Sequence, residues 1–132
     1  MLHVLVVEDS ASMRGYIRAI LEDAGGSDAL GVCAVTLAPS GFEAMRQLPR
    51  RAFDLMITDI NMTDINGLEL IRFVRTSQHL MATPVVVIST QSSSQDVARA
   101  MALGADGFLA KPFNAEALRA ACLCARAARG GG

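Results

Sequence analysis

The chain has 132 residues, 52% of them hydrophobic and 19% charged, which suits one ordinary domain with a full core and argues against wholesale disorder. Its formal net charge of −1 gives no electrostatic reason to expect nucleic acid or a membrane surface as a partner. No apolar run approaches the roughly 20 residues of a membrane span, and the opening "MLHVLVVEDS" lacks the basic start of a signal peptide, so a cytoplasmic protein is expected.

The first element is "HVLVVE", a short apolar run closed by acids, which reads as a buried strand. Ser10 caps a helix through about Ala24, with Met13, Ile17, Ile20, Leu21 and Ala24 at helical spacing and Gly25-Gly26 as the stop. "GVCAVTLA" is a second strand. "SGFEAMRQL" is a helix with Phe42, Met45 and Leu48 on one side, ended by Pro49. "FDLMITD" is a third strand, and "GLELIRFVRTS" the next helix. "TPVVVIST" carries the β-branched run of a strand buried on both faces. A Ser-capped helix, "SSQDVARAMALG", ends at Gly104, and "DGFLAK" is a fifth strand. Asn114 caps a last helix in which Leu118, Ala121, Cys122 and Ala125 share a face. Leu123 lies off that face among alternating Ala and Arg, a solvated side or a contact surface. Cys33, Cys122 and Cys124 form no metal-type C-x-x-C pair and read as small apolar residues in a reducing compartment.

Five strands alternate with five helices, and the strands are apolar throughout. This predicts an α/β fold: a doubly wound (βα)5 three-layer sandwich around a parallel sheet with right-handed crossovers. Ligands of such sheets sit at the carboxyl ends of the strands. There the sequence offers Glu8-Asp9 after the first strand, Asp59 at the third, Ser89-Thr90 at the fourth and Lys111-Pro112 at the fifth. In a flavodoxin-like order, 2-1-3-4-5, the first and third strands are neighbours, and Glu8, Asp9 and Asp59 converge. Three close carboxylates repel one another unless a cation sits among them, and an oxygen-rich site suits Mg²⁺, with Mn²⁺ as the alternative. Lys111 adds a point charge and Ser89 a hydroxyl. Acids, metal, lysine and hydroxyl together suit phosphoryl transfer with a carboxylate as nucleophile.

These residues, in the order "VLVVEDSASMR", "MITDINM", "NGLEL", "PVVVIST" and "GADGFLAKPF", resemble the receiver domain of bacterial two-component response regulators, most of all the small chemotaxis-type, CheY-like members. The resemblance covers essentially the whole chain, with residues 1–129 as the receiver and 130–132 as a tail or the start of a linker. It implies Asp59 as phosphoacceptor and a Mg²⁺ site of Glu8, Asp9, Asp59 and the backbone carbonyl of Asn61. It implies Ser89 as the switch hydroxyl and Lys111 as the partner of the phosphoryl group. Phe108 would be the aromatic switch, and the bond before Pro112 would be cis, which an X-Pro bond tolerates. Asn61 and Gln91 would flank the hydrolytic water and tune the signal's lifetime.

The implied role is a phosphorylation-dependent switch, not a turnover enzyme. A histidine kinase or phosphotransfer protein would dock near the first helix and supply the phosphoryl group. The face of the fourth helix, fifth strand and fifth helix would then act on a protein target, in a pathway that chemotaxis would exemplify. The chain would be a monomer or weak dimer, without nucleic-acid or membrane partners.

The sequence departs from the family pattern in six places: Glu8-Asp9 for two aspartates, Ser89 for threonine, Thr90 for a small residue, Met62-Thr63 where Met-Pro is usual, Asn66-Gly67 where Asp-Gly is usual, and Phe108 for tyrosine. Losing the proline should loosen that loop. Rival readings are a flavin or nucleotide module, which would want a Gly- or Ser/Thr-rich loop in place of Glu8-Asp9, and a dehalogenase-type phosphatase, which would want an acid where Asn61 stands. A third is a receiver-like scaffold that works without phosphorylation. The stretch "TDINMTDIN" holds one tetrapeptide twice. Asp59 is expected at the strand end, while Asp64 is expected to be loop, its copy a coincidence.

Overall fold

A computed structural model describes residues 1–23, 33–90 and 94–130. In chain order these form β1 (Leu2–Val7), α1 (Ala11–Glu22), β2 (Cys33–Ala38), α2 (Gly41–Gln47), a single 3-10 turn (Leu48–Arg50), β3 (Leu55–Asp59), α3 (Gly67–Thr76), β4 (Val85–Ser89), α4 (Ser94–Leu103), β5 (Gly107–Ala110) and α5 (Ala115–Ala128). The strands make one parallel sheet, as the alternation of elements predicts, in the flavodoxin-like order β2-β1-β3-β4-β5.

The sheet separates two cores because successive side chains of a strand point to opposite faces. On one face Leu5, Val7, Met56, Val85 and Val87 meet Ala44, Leu70, Ile71, Val74 and Ala100 of α2, α3 and α4. On the other, Val4, Val6, Leu55, Ile57, Val86 and Ile88 meet Ile17, Ile20 and Leu21 of α1 and Leu118, Cys122 and Ala125 of α5. Every residue of β3 and β4 is buried, which is why these strands read as unbroken apolar runs.

Four helices start on a side-chain cap that relieves an orphan backbone donor. Ser10 accepts from the Met13 N–H, Ser40 from Glu43, Asn66 from Glu69 and Asn114 from Ala117. Gly104 follows α4 at a φ of 114°, where a residue with a Cβ would be strained and would also meet the Arg75 side chain.

Three details differ from the sequence reading. α1 stops at Glu22, since Asp23, with a ψ of 88°, has already left the helical region. Ala24, the Gly25-Gly26 stop, the first two residues of "GVCAVTLA" and the residues just before α4 lie outside the described residues. In α2, Phe42 is 59% exposed, whereas Gly41, Ala44 and Leu48 are buried and Met45 packs on the core. The inward face is therefore 41, 44, 45 and 48, a proper i, i+3, i+4, i+7 set in which the small residues bring the helix close to the sheet. In α5, Leu123 is half-buried against the core, while the three cysteines are free, Cys33 and Cys122 buried and Cys124 exposed.

At the amino ends of the strands Asp106 gathers several elements. Its carboxylate accepts from Arg75 (2.8 Å), Arg129 (2.7 Å) and the Val85 N–H (2.9 Å). Arg75 also donates to the carbonyls of Gly104, Met81 and Thr83. This cluster ties the far ends of α3, α4 and α5 together and leaves the opposite end of the sheet to carry the chemistry.

Candidate functional site

Parallel registry sets the site. Val7 pairs with Thr58, Asp59 with Ile88, and Ser89 with Ala110. The residues that leave these strands therefore line up at one edge: Glu8 beside Asp59, Ser89 on the next strand, and Lys111 after β5. Glu8 continues the ladder through its N–H to Ala38 O, and Lys111 through its N–H to Ser89 O. Glu8, Asp59 and Ser89 are buried, while Asp9 and Thr90 are exposed.

Lys111 is the centre of the cluster. Its Nζ donates to Glu8 Oε1 at 2.7 Å and to Asp59 Oδ2 at 2.8 Å. The Lys111-Pro112 bond is cis. The remaining carboxylate oxygens are held by backbone, with the Ser10 N–H on Glu8 Oε2 and the Asn61 N–H on Asp59 Oδ1, each at 3.1 Å. Burial pushes the Glu8 carboxyl above its ordinary range, and the hydrogen bond from Lys111 pulls only part of the way back. For Lys111, burial favours the neutral amine, but its bonds to Asp59 and Glu8 outweigh this and hold the ammonium above the usual lysine range.

Glu8, Asp9 and Asp59 each offer a carboxylate oxygen, and these atoms lie within 4.8 Å of one another. Two of the acids are buried and the third is exposed, so the cluster opens toward solvent on the Asp9 side. Three carboxylates against one ammonium leave a net negative cup of hard oxygen donors. These residues fit a divalent cation such as Mg²⁺ or Mn²⁺, which would relieve the repulsion that Lys111 only partly offsets.

The other residues singled out from sequence are distributed as follows. Asn61 begins the loop after β3, its N–H on Asp59. Ser89 is at the end of β4, one strand over. Phe108, on β5, is half-buried against the core on the α4 side of the sheet. Gln91 lies outside the described residues.

Three contacts escaped the sequence. Arg14 reaches from α1 to donate to Glu8 O at 2.8 Å, Thr58 Oγ1 donates to Asp59 O at 3.0 Å, and Asp64 is no idle loop residue. Its two carboxylate oxygens accept the N–H groups of Gly41 (3.2 Å) and Phe42 (3.0 Å) at the start of α2. These bonds, that of Phe42 foremost, hold the Asp64 carboxyl below its ordinary range. Asn66, the last residue of the same repeat, caps α3. The second tetrapeptide copy thus fastens two helices. No local pattern announces this, because Asp64 and its partners are 22 and 23 positions apart.

Comparison with known proteins bears on the family and the fold. The model of the family described as "Response regulator receiver domain" matches residues 4–123. The chemotaxis protein CheY of Pseudomonas aeruginosa is 31% identical over 116 residues, 88% of this chain and 89% of that protein. Among solved structures, the chemotaxis protein CheY4 of Vibrio cholerae superposes with a TM-score of 0.81 at 35% identity, over 91% of this chain and 94% of its own. A response regulator receiver protein from Pseudomonas putida gives 0.79 at 31% identity, over 90% and 93%.

Proposed function

The chain belongs to the response regulator receiver family, and from that premise we propose that it is a two-component signalling switch whose phosphoacceptor is Asp59. The observation that carries this reading is Lys111 Nζ shared between the buried carboxylates of Glu8 and Asp59, with an Asp9 oxygen within 4.8 Å of theirs. The donor is a phosphohistidine on a histidine kinase or phosphotransfer protein docked near α1. An Asp59 carboxylate oxygen attacks phosphorus, the P–N bond breaks, its electron pair returns to the imidazole, and an acyl phosphate is left on Asp59. Glu8, Asp9, Asp59 and the carbonyl of Asn61 would hold Mg²⁺, which neutralises charge on the phosphoryl oxygens.

The chain's own groups do the remainder. Lys111 pairs with a phosphoryl oxygen, and the Ser89 hydroxyl donates to another. As Ser89 closes on the phosphoryl group, Phe108 moves further into the core, and the face made by α4, β5 and α5 acquires its signalling shape. Asn61 flanks the water that ends the signal. The chain modifies only itself, so it is a switch and not a turnover enzyme. Residues 1–129 form the receiver, with 130–132 as tail or linker. The setting is cytoplasmic, the state monomer or weak dimer, and the output a protein target. The chemotaxis names of the relatives favour a motility pathway.

Beryllofluoride with Mg²⁺, a mimic of the phosphoryl group, tests the switch. Amide resonances of Ser89, Phe108 and the α4–β5–α5 face should shift together. A spectrum altered only at the acidic cluster would instead favour a scaffold that works without phosphorylation.

A further inference from the structure

We propose that Asp64 is a positioning residue for the acceptor site, acting through the loop between β3 and α3; this rests on the reading of Asp59 as acceptor. The loop contains no proline, so its shape rests on its hydrogen bonds and packing, local and distant. Its feet are closed by the Gly67 N–H on Ile60 O at 2.8 Å, and a Cβ on Gly67 would come within 2.4 Å of Asp59 O. Its apex is fixed by Asp64 on the backbone of Gly41 and Phe42. Beside it, Ile65 O lies 2.6 Å from where a Cβ on Gly41 would sit, so α2 and the loop touch backbone to backbone. Asn61 hangs between these anchors. Its N–H holds Asp59 Oδ1, and its carbonyl belongs to the proposed metal set. Releasing Asp64 loosens the span that carries the Asn61 carbonyl, while Asp59 keeps its bond from Lys111.

The test uses the whole chain and three variants: Asp64→Ala, Asp64→Asn and Gly41→Ala. Amide exchange of Asn61 is followed in metal-free protein, Mg²⁺ affinity by titration of that amide, and labelling rate by acetyl phosphate at rising Mg²⁺. In Asp64→Ala, Asn61 should exchange faster and Mg²⁺ affinity should fall about three- to tenfold, as for the loss of one or two modest hydrogen bonds. The rate at saturating Mg²⁺ should stay at the wild-type level. Asp64→Asn, which keeps an acceptor oxygen, should recover part of the loss, and Gly41→Ala should reproduce it by pushing on Ile65. Unchanged Asn61 exchange and Mg²⁺ affinity in Asp64→Ala would overturn the proposal, as would a loss of rate that saturating Mg²⁺ cannot restore. Should Asp64→Ala fail to fold, the other two variants decide. If the wild type takes no phosphoryl group, the acceptor reading fails by itself, while exchange and Mg²⁺ affinity still judge the tether.

Discussion

Lys111 and Asp64 show how single side chains hold this site together in opposite ways. Lys111 is the counter-charge for two carboxylates whose side chains are 1% and 7% exposed. Lys111→Met would strand both charges, so the metal-free variant should lose about 3 kcal/mol of unfolding free energy in urea titration, with Mg²⁺ restoring part of it. Asp64 titrates in the solvent-facing loop. Its folded carboxyl sits below the ordinary aspartate value of 3.8, so its stabilisation is present above that value and is lost as pH falls through the folded one. The stability gap between wild type and Asp64→Asn should therefore be flat at neutral pH and close in acid. Glu8 has the reverse sign: its raised carboxyl makes charging it in the metal-free fold a cost that grows as pH rises through its folded value. A gap for Asp64→Asn that widened in acid would contradict this assignment.

At the scale of elements, short turns decide where the chemistry stands. Gly67 opens α3 against the carbonyl of the proposed acceptor, where any Cβ would overlap backbone. Gly67→Ala should lower the thermal midpoint and weaken Mg²⁺ binding together, because the strain falls on Asp59 and Ile60 themselves. At the other end of the sheet, Asp106→Ala removes the acceptor of two arginines and a strand N–H. It should cost roughly 2–4 kcal/mol in denaturant unfolding without changing Mg²⁺ affinity, since it leaves a largely buried guanidinium without its counter-ion.

Elements were legible in the sequence wherever a periodic pattern met a cap. The β-branched run of β4 and the caps Ser10 and Asn114 each announce their element, while the caps Ser40 and Asn66 emerged only with the structure. α2 was misread because it is short, and a large apolar side chain, Phe42, drew the face away from the small residues that pack inward. The Asp64 tether was invisible for a different reason: its partners become neighbours only once the sheet has brought the loop after β3 beside α2.

For the whole molecule, strand alternation specified a parallel, doubly wound sheet, and the observed order β2-β1-β3-β4-β5 brings Glu8, Asp59, Ser89 and Lys111 to one edge. Distances and burial needed coordinates, whereas the residue types at the strand ends did not, and the cis bond before Pro112 followed from the family resemblance. Because the acidic cup belongs to the folded chain alone, saturating Mg²⁺ should raise the thermal midpoint and a chelator should reverse it. Glu8→Gln should blunt that response.

The central claim is that Asp59 accepts a phosphoryl group in a Mg²⁺-dependent step. Intact mass after incubation with acetyl phosphate tests it most directly. The account predicts one added phosphoryl group on the wild type and on Asp64→Asn, and none on Asp59→Asn or when Mg²⁺ is chelated. An unmodified wild type, or an Asp59→Asn variant that labels as well as wild type, would contradict it.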